Sequence, residues 1–204
     1  LNADLRFAVP APLTRLVRLL RGVGLDAVSL PEGATPREIG RAGCEQERVI
    51  LLPPDWKNRL PKDAEERSHT LAAQSVQDQL SEVIDIFGVV VGVECIMARC
   101  ATCNARDWRL LTPEEARRLP PEAGLCARTI GKQREFWLCA GCGKAYWQGG
   151  MVRKAWDNFR RFLNEPNGPD LDLEASDEYR ALRASGLSPH AAWARLVRDG
   201  ALTP

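Results

Sequence analysis

Apolar and polar positions in the N-terminal part of the chain follow two periods by turns. Leu5-Arg6-Phe7-Ala8-Val9 is a short apolar run closed by Pro10, and Leu13, Leu16, Val17, Leu20 and Val23 then recur three or four residues apart. The run has the length of a strand and the recurrence has the phasing of one helix face, which turns Arg15, Arg18 and Arg21 toward water. Asp26 to Leu30 reads as a second strand. Thr35-Pro36 sets an N-capping hydroxyl before a proline at the first helical position. The run from Arg48 through Val49-Ile50-Leu51-Leu52 is continuous, as in strands buried on both faces, and stops at Pro53-Pro54. A short helix from Pro54 to Leu60 follows, then a fourth strand over His69-Thr70-Leu71-Ala72. Val76, Leu80, Val83, Ile84 and Phe87 mark the apolar face of a helix from Ser75 to Phe87. Repeated strand and helix alternation predicts a parallel α/β sheet with right-handed crossovers.

After Gly88 the pattern changes. Val89 to Ile96 is strand-like and leads into a Cys-x-x-Cys. In the polar stretch that follows, Thr112-Pro113-Glu114-Glu115 has the form of a capping box. Arg134 to Leu138 leads into a second Cys-x-x-Cys and Ala145 to Gln148 leads out of it. A helix over Met151 to Leu163 is expected, then an acidic linker over 164–178 rich in turn formers, then short helices near Glu178 to Ala184 and Ser188 to Val197. These last helices hold too few apolar residues to fold alone, so they are expected to pack on the main body or on a partner. The divisions expected are an α/β domain over 1–92, a cysteine-bearing segment with its helix over 93–163, and a tail over 164–204.

Composition narrows the function. The 204 residues carry 28 Lys and Arg against 27 Asp and Glu, which excludes a globally basic wrapper of nucleic acid. Counted by segment, residues 1–98 hold 11 basic and 14 acidic side chains, residues 99–165 hold 13 and 7, and residues 166–204 hold 4 and 6. The near-neutral sum thus conceals a basic middle. No apolar run approaches the roughly 20 residues of a membrane span, and no secretion signal opens the chain. The expectation is an intracellular protein, cytoplasmic or nuclear, with no membrane partner. Its start at Leu1 suggests a piece of something longer.

The seven cysteines, odd in number and holding two Cys-x-x-Cys pairs, do not read as a secreted disulfide framework. Cys100 and Cys103, then 35 residues, then Cys139 and Cys142 supply the two knuckles of a four-thiolate zinc site, with Gly141 and Gly143 easing the second turn. Such a closed shell leaves no position for a reactive water, so one structural Zn²⁺ is expected. Around it stand Arg99, Arg106, Arg109, Lys132, Arg134, Trp137, Lys144, Tyr146 and Trp147, together with Trp108, Arg128 and Phe136. Cations interleaved with flat rings suit single-stranded nucleic acid, because charge tracks phosphates while rings stack on bases. The same aromatics would also serve as the ribbon's own core. Cys44, Cys95 and Cys126 read as buried small apolar residues, and neither His69 nor His190 has a partner at ligand spacing.

Taken in order, Arg6-Phe7-Ala8-Val9, Leu13-x-x-Leu16-Val17-Arg18-Leu19-Leu20, Gly24-Leu25-Asp26, Arg48-Val49-Ile50-Leu51-Leu52, Cys-x-x-Cys-Asn and Glu135-Phe136-Trp137-x-Cys139-x-x-Cys142-Gly143-Lys144-x-Tyr146-Trp147-x-Gly149 form one signature. It resembles the PIN-like RNase domain with a zinc ribbon at the C-terminus of mut-seven-type 3'-5' exonuclease homologues, over residues 5 to 163. The resemblance implies a PIN-like parallel sheet flanked by helices, a four-cysteine ribbon and a helical tail. It also implies carboxylates at the C-terminal ends of the strands that hold Mg²⁺ or Mn²⁺ for RNA hydrolysis, at the edge where open α/β sheets bind ligands.

In that family the first strand usually ends in Asp and the third in a Thr-x-Asp-like turn. Here the first ends in Pro10 and the third in Pro53-Pro54-Asp55, while Ala73-Gln74-Ser75 follows the fourth. Asp55 and Glu38 are the residual metal candidates, and two carboxylates make a poor cage. Either residue would equally serve a helix N-terminus. Where relatives carry Gly-Ser-His after the ribbon, this chain has Gly149-Gly150-Met151. The expectation is a domain that keeps the fold and the zinc, has lost hydrolysis and binds single-stranded RNA as an accessory to an exonuclease. The alternatives are a scaffold docking a protein of a small-RNA silencing complex through the PIN-like domain or residues 164–204, and an active Mg²⁺- or Mn²⁺-dependent ribonuclease using Asp55.

Overall fold

The computed structural model describes residues 5–56, 59–92, 95–147, 158–163 and 181. Contacts divide the chain into two units, Leu1–Val90 with Met97–Arg106, and Val91–Ile96 with Asp107–Pro204.

In the first unit the apolar runs become β1 (Arg6–Val9), β2 (Asp26–Ser29), β3 (Val49–Leu52) and β4 (Ser68–Thr70), all parallel in the order β2-β1-β3-β4. Parallel strands need cover on both faces. On one face α1 (Thr14–Gly22) packs with α4 (Val76–Ile86), and Phe7 meets Phe87 edge to face with ring centroids 5.4 Å apart. On the other, Ala8, Ile50 and Leu52 pack with Ile39 of α2 (Pro36–Glu45), Leu60, and Ala64 of α3 (Lys62–Glu65). A Cβ at Gly43 would collide with Ile50, so only glycine lets α2 lie this close to β3.

Local chemistry fixes where the helices begin. Thr35 Oγ1 accepts from the Glu38 N–H at 3.3 Å, and the Glu38 carboxylate accepts from the Thr35 N–H at 2.8 Å, a complete capping box. Ser75 caps α4 through the Asp78 N–H. Of the helix expected from Pro54 to Leu60, the described residues show a 3-10 turn, Pro54–Trp56, and no helix at 59–60, because Pro61 bars its predecessor from helical geometry and restarts the chain as α3. The fourth strand ends at Thr70, short of Ala72, whose N–H is taken by the Glu82 carboxylate instead of a ladder. Arg21 is corrected too. It is 7% exposed and turned inward, held by three backbone carbonyls.

The second unit is built on an antiparallel sheet, β5 (Trp108–Leu111), β6 (Phe136–Cys139) and β7 (Ala145–Trp147), in that order. Leu111, Phe136 and Trp147 lie in register on one face and pack with Ala116 of α5 (Pro113–Arg117) and Ile130 of α6 (Ala127–Ile130). Thr112 and Glu115 form the expected capping box. β5 and α6 were not evident from the sequence. The strand expected over Val89 to Ile96 reduces, among the described residues, to one bridge from Val91 to Leu163. Of the helix expected over Met151 to Leu163, only 158–163 is described, and it closes in a 3-10 turn, Arg160–Phe162. The linker and tail helices expected over 164–204 lie outside the described residues, Ala181 excepted.

Candidate metal centre and nucleic-acid interface

The two Cys-x-x-Cys turns repeat one another bond for bond. In the first, the Cys100 carbonyl accepts from the Asn104 N–H at 2.9 Å, and the Cys100 N–H donates to the Ala105 carbonyl at 2.8 Å. In the second, the Cys139 carbonyl accepts from the Gly143 N–H at 2.9 Å, and the Cys139 N–H donates to the Lys144 carbonyl at 2.9 Å. The residue after the second cysteine is left-handed in both, with φ 73° at Asn104 and 70° at Gly143. Glycine adopts that conformation freely, and asparagine is among the few other residues that tolerate it. The Sγ atoms of Cys100, Cys103, Cys139 and Cys142 all lie within 4.8 Å of one another. A tetrahedral zinc with Zn–S bonds of about 2.3 Å sets its sulfurs about 3.8 Å apart, so this all-sulfur cluster can hold such an ion with small adjustments. Among the described residues no other group of three or more His, Cys, Asp or Glu side chains converges in this way.

The first turn is fastened to the amino edge of the parallel sheet. Arg21 Nη1 donates to the carbonyls of Ala101 and Thr102 at 2.9 and 2.8 Å, and its Nε to Ala27 at 2.8 Å. Asp26 accepts from Arg48 Nη1 and from Asn104 Nδ2 at 2.6 and 2.8 Å, with Arg99 Nη2 at 3.8 Å. Burial alone would raise the Asp26 pKa, but the hydrogen bonds from Arg48 and Asn104 and the charges of Arg48 and Arg99 bring it below the usual value. Arg99 is shifted down, first by desolvation and then by its neighbour Arg106. Arg99 Nε and Nη1 are spent on the Gly24 and Asn104 carbonyls.

The ribbon register sorts the candidate interface residues. Trp147 belongs to the face packed on the helices, and Arg109, one position from Leu110, shares that face and lies 4.0 Å from Glu115. Lys144 reaches back against Gly124. Trp108, Leu110, Trp137 and Tyr146 occupy the opposite face, where Leu110 is 39% exposed and the three rings are half-buried. Trp108 and Tyr146 meet edge to face at 5.2 Å. Lys132 and Arg134 are exposed in the turn before β6.

At the carboxyl edge of the parallel sheet the strand order reverses between β1 and β3, the place where open α/β sheets receive ligands. Val9-Pro10 ends one strand there, and Leu52-Pro53-Pro54 the other, with Asp55 exposed in the turn that follows. The Glu38 carboxylate is engaged with the Thr35 N–H and hydroxyl, at 2.8 and 2.7 Å, and these bonds lower its pKa. Glu82 on α4 is the carboxylate that the sequence did not single out. It accepts from the Ala72 and Ala73 N–H groups at 2.8 to 3.0 Å and pairs with His69 Nε2 at 2.8 Å. His69 therefore does have a partner, brought to it by the crossover that folds α4 back over β4.

The family profile described as the Mut7-C RNAse domain matches residues 5–159, more than half of the chain. The chain belongs to the Mut7-C RNAse domain family. The nematode protein "Exonuclease mut-7" of Caenorhabditis elegans is 31% identical over 114 residues, which cover 50% of this chain and 12% of that protein. The chain thus spans a small part of the relative it matches. No solved structure gives a significant match.

The Mut7-C match runs through both cysteine turns and stops just before the tail. Of the cysteines outside the cluster, Cys44 and Cys95 are half-buried, and Cys126 is exposed rather than buried, because it begins the short α6 at the surface. Its thiol lies 3.2 Å from the Thr129 hydroxyl, which lowers its pKa. No helix among the described residues of this Mut7-C domain is long and apolar enough to cross a membrane.

Proposed function

We propose that this Mut7-C domain binds single-stranded RNA on the open face of a zinc-held ribbon, without cleaving it, as an accessory to a mut-7-type 3'-5' exonuclease inside the cell. The observation that carries the reading is the ribbon register, which gathers Trp108, Trp137 and Tyr146 on the face away from the helical core. Half-buried rings held edge to face offer stacking surface at small entropic cost, and each stacked base contributes on the order of 1–3 kcal/mol. Lys132 and Arg134, at the end of the sheet where β6 begins, supply the charge that tracks phosphates. Arg99, Arg109, Lys144 and Trp147 serve the scaffold instead, and Arg106 remains an exposed cation of the first unit.

Zinc is the metal the donor set favours, since four thiolates in two tight turns give a closed tetrahedral shell. Zn²⁺ bound there would supply structure, tying down the ends of each Cys-x-x-Cys turn. The carboxyl edge supports the non-catalytic part of the reading, because the family's first-strand carboxylate position is occupied by Pro10, Glu38 is consumed by its capping box, and Asp55 belongs to no group of three or more potential metal ligands among the described residues.

Fluorescence anisotropy with a labelled single-stranded RNA tests the interface. Trp137→Ala and Tyr146→Ala are each expected to weaken binding about tenfold, with zinc content unchanged. Lys132→Gln with Arg134→Gln is expected to flatten the dependence on salt. Binding that survives both aromatic substitutions unaltered would remove the ribbon face from the account.

A further inference from the structure

The two cysteine turns share their backbone bonds but differ at the left-handed residue after the second cysteine, which is Asn104 in the first and Gly143 in the second. Glycine takes up this conformation without strain, whereas asparagine tolerates it at some cost. Asn104 carries a second cost. Its Oδ1 is buried and accepts no hydrogen bond from the described residues, and a buried acceptor left unsatisfied is unfavourable. By local reasoning glycine would serve the first turn better. What asparagine adds is Nδ2, which donates to Asp26 Oδ1 at 2.8 Å across 78 residues of sequence.

That bond reaches a fixed acceptor. Asp26 opens β2, in register with Arg6 of β1, and its Oδ1 also accepts from Arg48 Nη1 at 2.6 Å. Arg48 is held in turn by Gln46, which accepts from its Nε at 3.0 Å. The main chain flanking the turn is tied to the same strand end. Arg99, just before Cys100, donates from Nε to the Gly24 carbonyl and from Nη1 to the Asn104 carbonyl, at 3.0 Å each. Within the turn, Cys100 is buried but Cys103 is exposed. Packing restrains Cys103 less, and its neighbour Asn104 is the closest point along the chain that is anchored to the sheet.

We propose that Asn104 is a positioning residue that couples the metal centre to the parallel sheet. Its left-handed backbone closes the Cys100–Cys103 turn while its side chain ties that turn to Asp26, so bound metal and the β2 edge stabilise one another. Groups that hold ligands in place before the ion arrives lower the cost of ordering them on binding. Linkage makes the effect reciprocal, since whatever the metal gains from the Asn104–Asp26 bond, the bond gains from the metal. The inference rests on the metal reading above, so the metal content of the parent protein is measured first.

Zinc release from the full chain to a chromogenic chelator is then compared for the parent, Asn104→Gly, Asn104→Asp and, on the exposed side of α1, Arg15→Met. Asn104→Gly relaxes the left-handed backbone and removes the tether, so it separates the two roles. It is expected to release zinc about tenfold faster than the parent, although local strain alone would make it release zinc more slowly. Asn104→Asp sets a carboxylate against Asp26 and should release zinc faster still, and Arg15→Met should match the parent. Hydrogen exchange with and without chelator reads the coupling. Chelation of the parent should speed exchange in β2 more than in β4, and Asn104→Gly should diminish that response, with the Arg21 bonds to Ala101 and Thr102 left in place. Release from Asn104→Gly at the parental rate or slower overturns the proposal, as does a β2 response that this substitution leaves undiminished. If Asn104→Gly does not fold, exchange in the parent decides. Protection lost on chelation in β2 but kept in β4 supports the tether, and an even loss or none overturns it. A parent that holds no metal overturns this inference together with the metal reading, whereas a metal-bearing parent indifferent to Asn104→Gly overturns the tether alone.

Discussion

Glu82 shows how much one carboxylate can organise. Burial would raise its pKa, but the N–H groups of Ala72 and Ala73 and the His69 ring more than offset that, and its pKa lies below the usual value. A carboxyl group with a lowered folded pKa stabilises the fold fully above its unfolded value of about 4.3, and that contribution fades as pH falls through the folded pKa. Glu82→Gln is therefore expected to lower stability by about 2 kcal/mol at pH 7 and by less at an acid pH below the lowered pKa of Glu82, where the parent has lost the same charge. Urea melts at both pH values measure this, and a gap independent of pH would contradict it. Thr35→Ala, which opens the capping box, should cost about 1 kcal/mol and leave RNA and metal binding unchanged in the same preparations. Thr35 and Glu38 were legible as a cap because they act three residues apart. The contacts of Glu82 with His69 and of Arg21 with Ala101 span 13 and 80 residues, and no local pattern announces them.

At the scale of elements, the strands whose side chains are buried on both faces were readable, since continuous runs such as Val49-Ile50-Leu51-Leu52 admit little else. The ribbon was readable at its cysteine turns, where spacing alone dictates the geometry. β5 escaped notice because Trp108-Arg109-Leu110-Leu111 mixes exposed and buried positions that make sense only beside β6. For the same reason Trp137 and Trp147 look alike in the sequence yet face opposite ways, and strand alternation cannot say which face a helix will cover. Packing at α2 offers a sharp test. Gly43→Ala drives a methyl into Ile50 and is expected to destabilise the first unit by about 1–3 kcal/mol, while the zinc stoichiometry of the refolded protein stays at the parental value. Unchanged stability in a chemical melt would mean that α2 can back away from β3.

For the molecule as a whole, metal, ribbon and sheet edge are expected to act together. Removing zinc should abolish RNA binding before it melts the core around Phe7, Ile50 and Leu80, because the rings on the open face depend on the β6–β7 turn that Cys139 and Cys142 anchor. Circular dichroism and anisotropy on one chelator titration would show the order of the two losses, and simultaneous loss would contradict it. The central claim is that this Mut7-C domain holds RNA and leaves it intact. Its most direct test is a native gel of end-labelled single-stranded RNA with the purified chain in Mn²⁺, followed by a denaturing gel of the same samples, with Asp55→Asn in parallel. The RNA is expected to be retarded at low salt, released at high salt and full-length throughout, identically for both proteins. RNA cleaved by the parent and spared by Asp55→Asn would contradict it, as would RNA that neither protein retards.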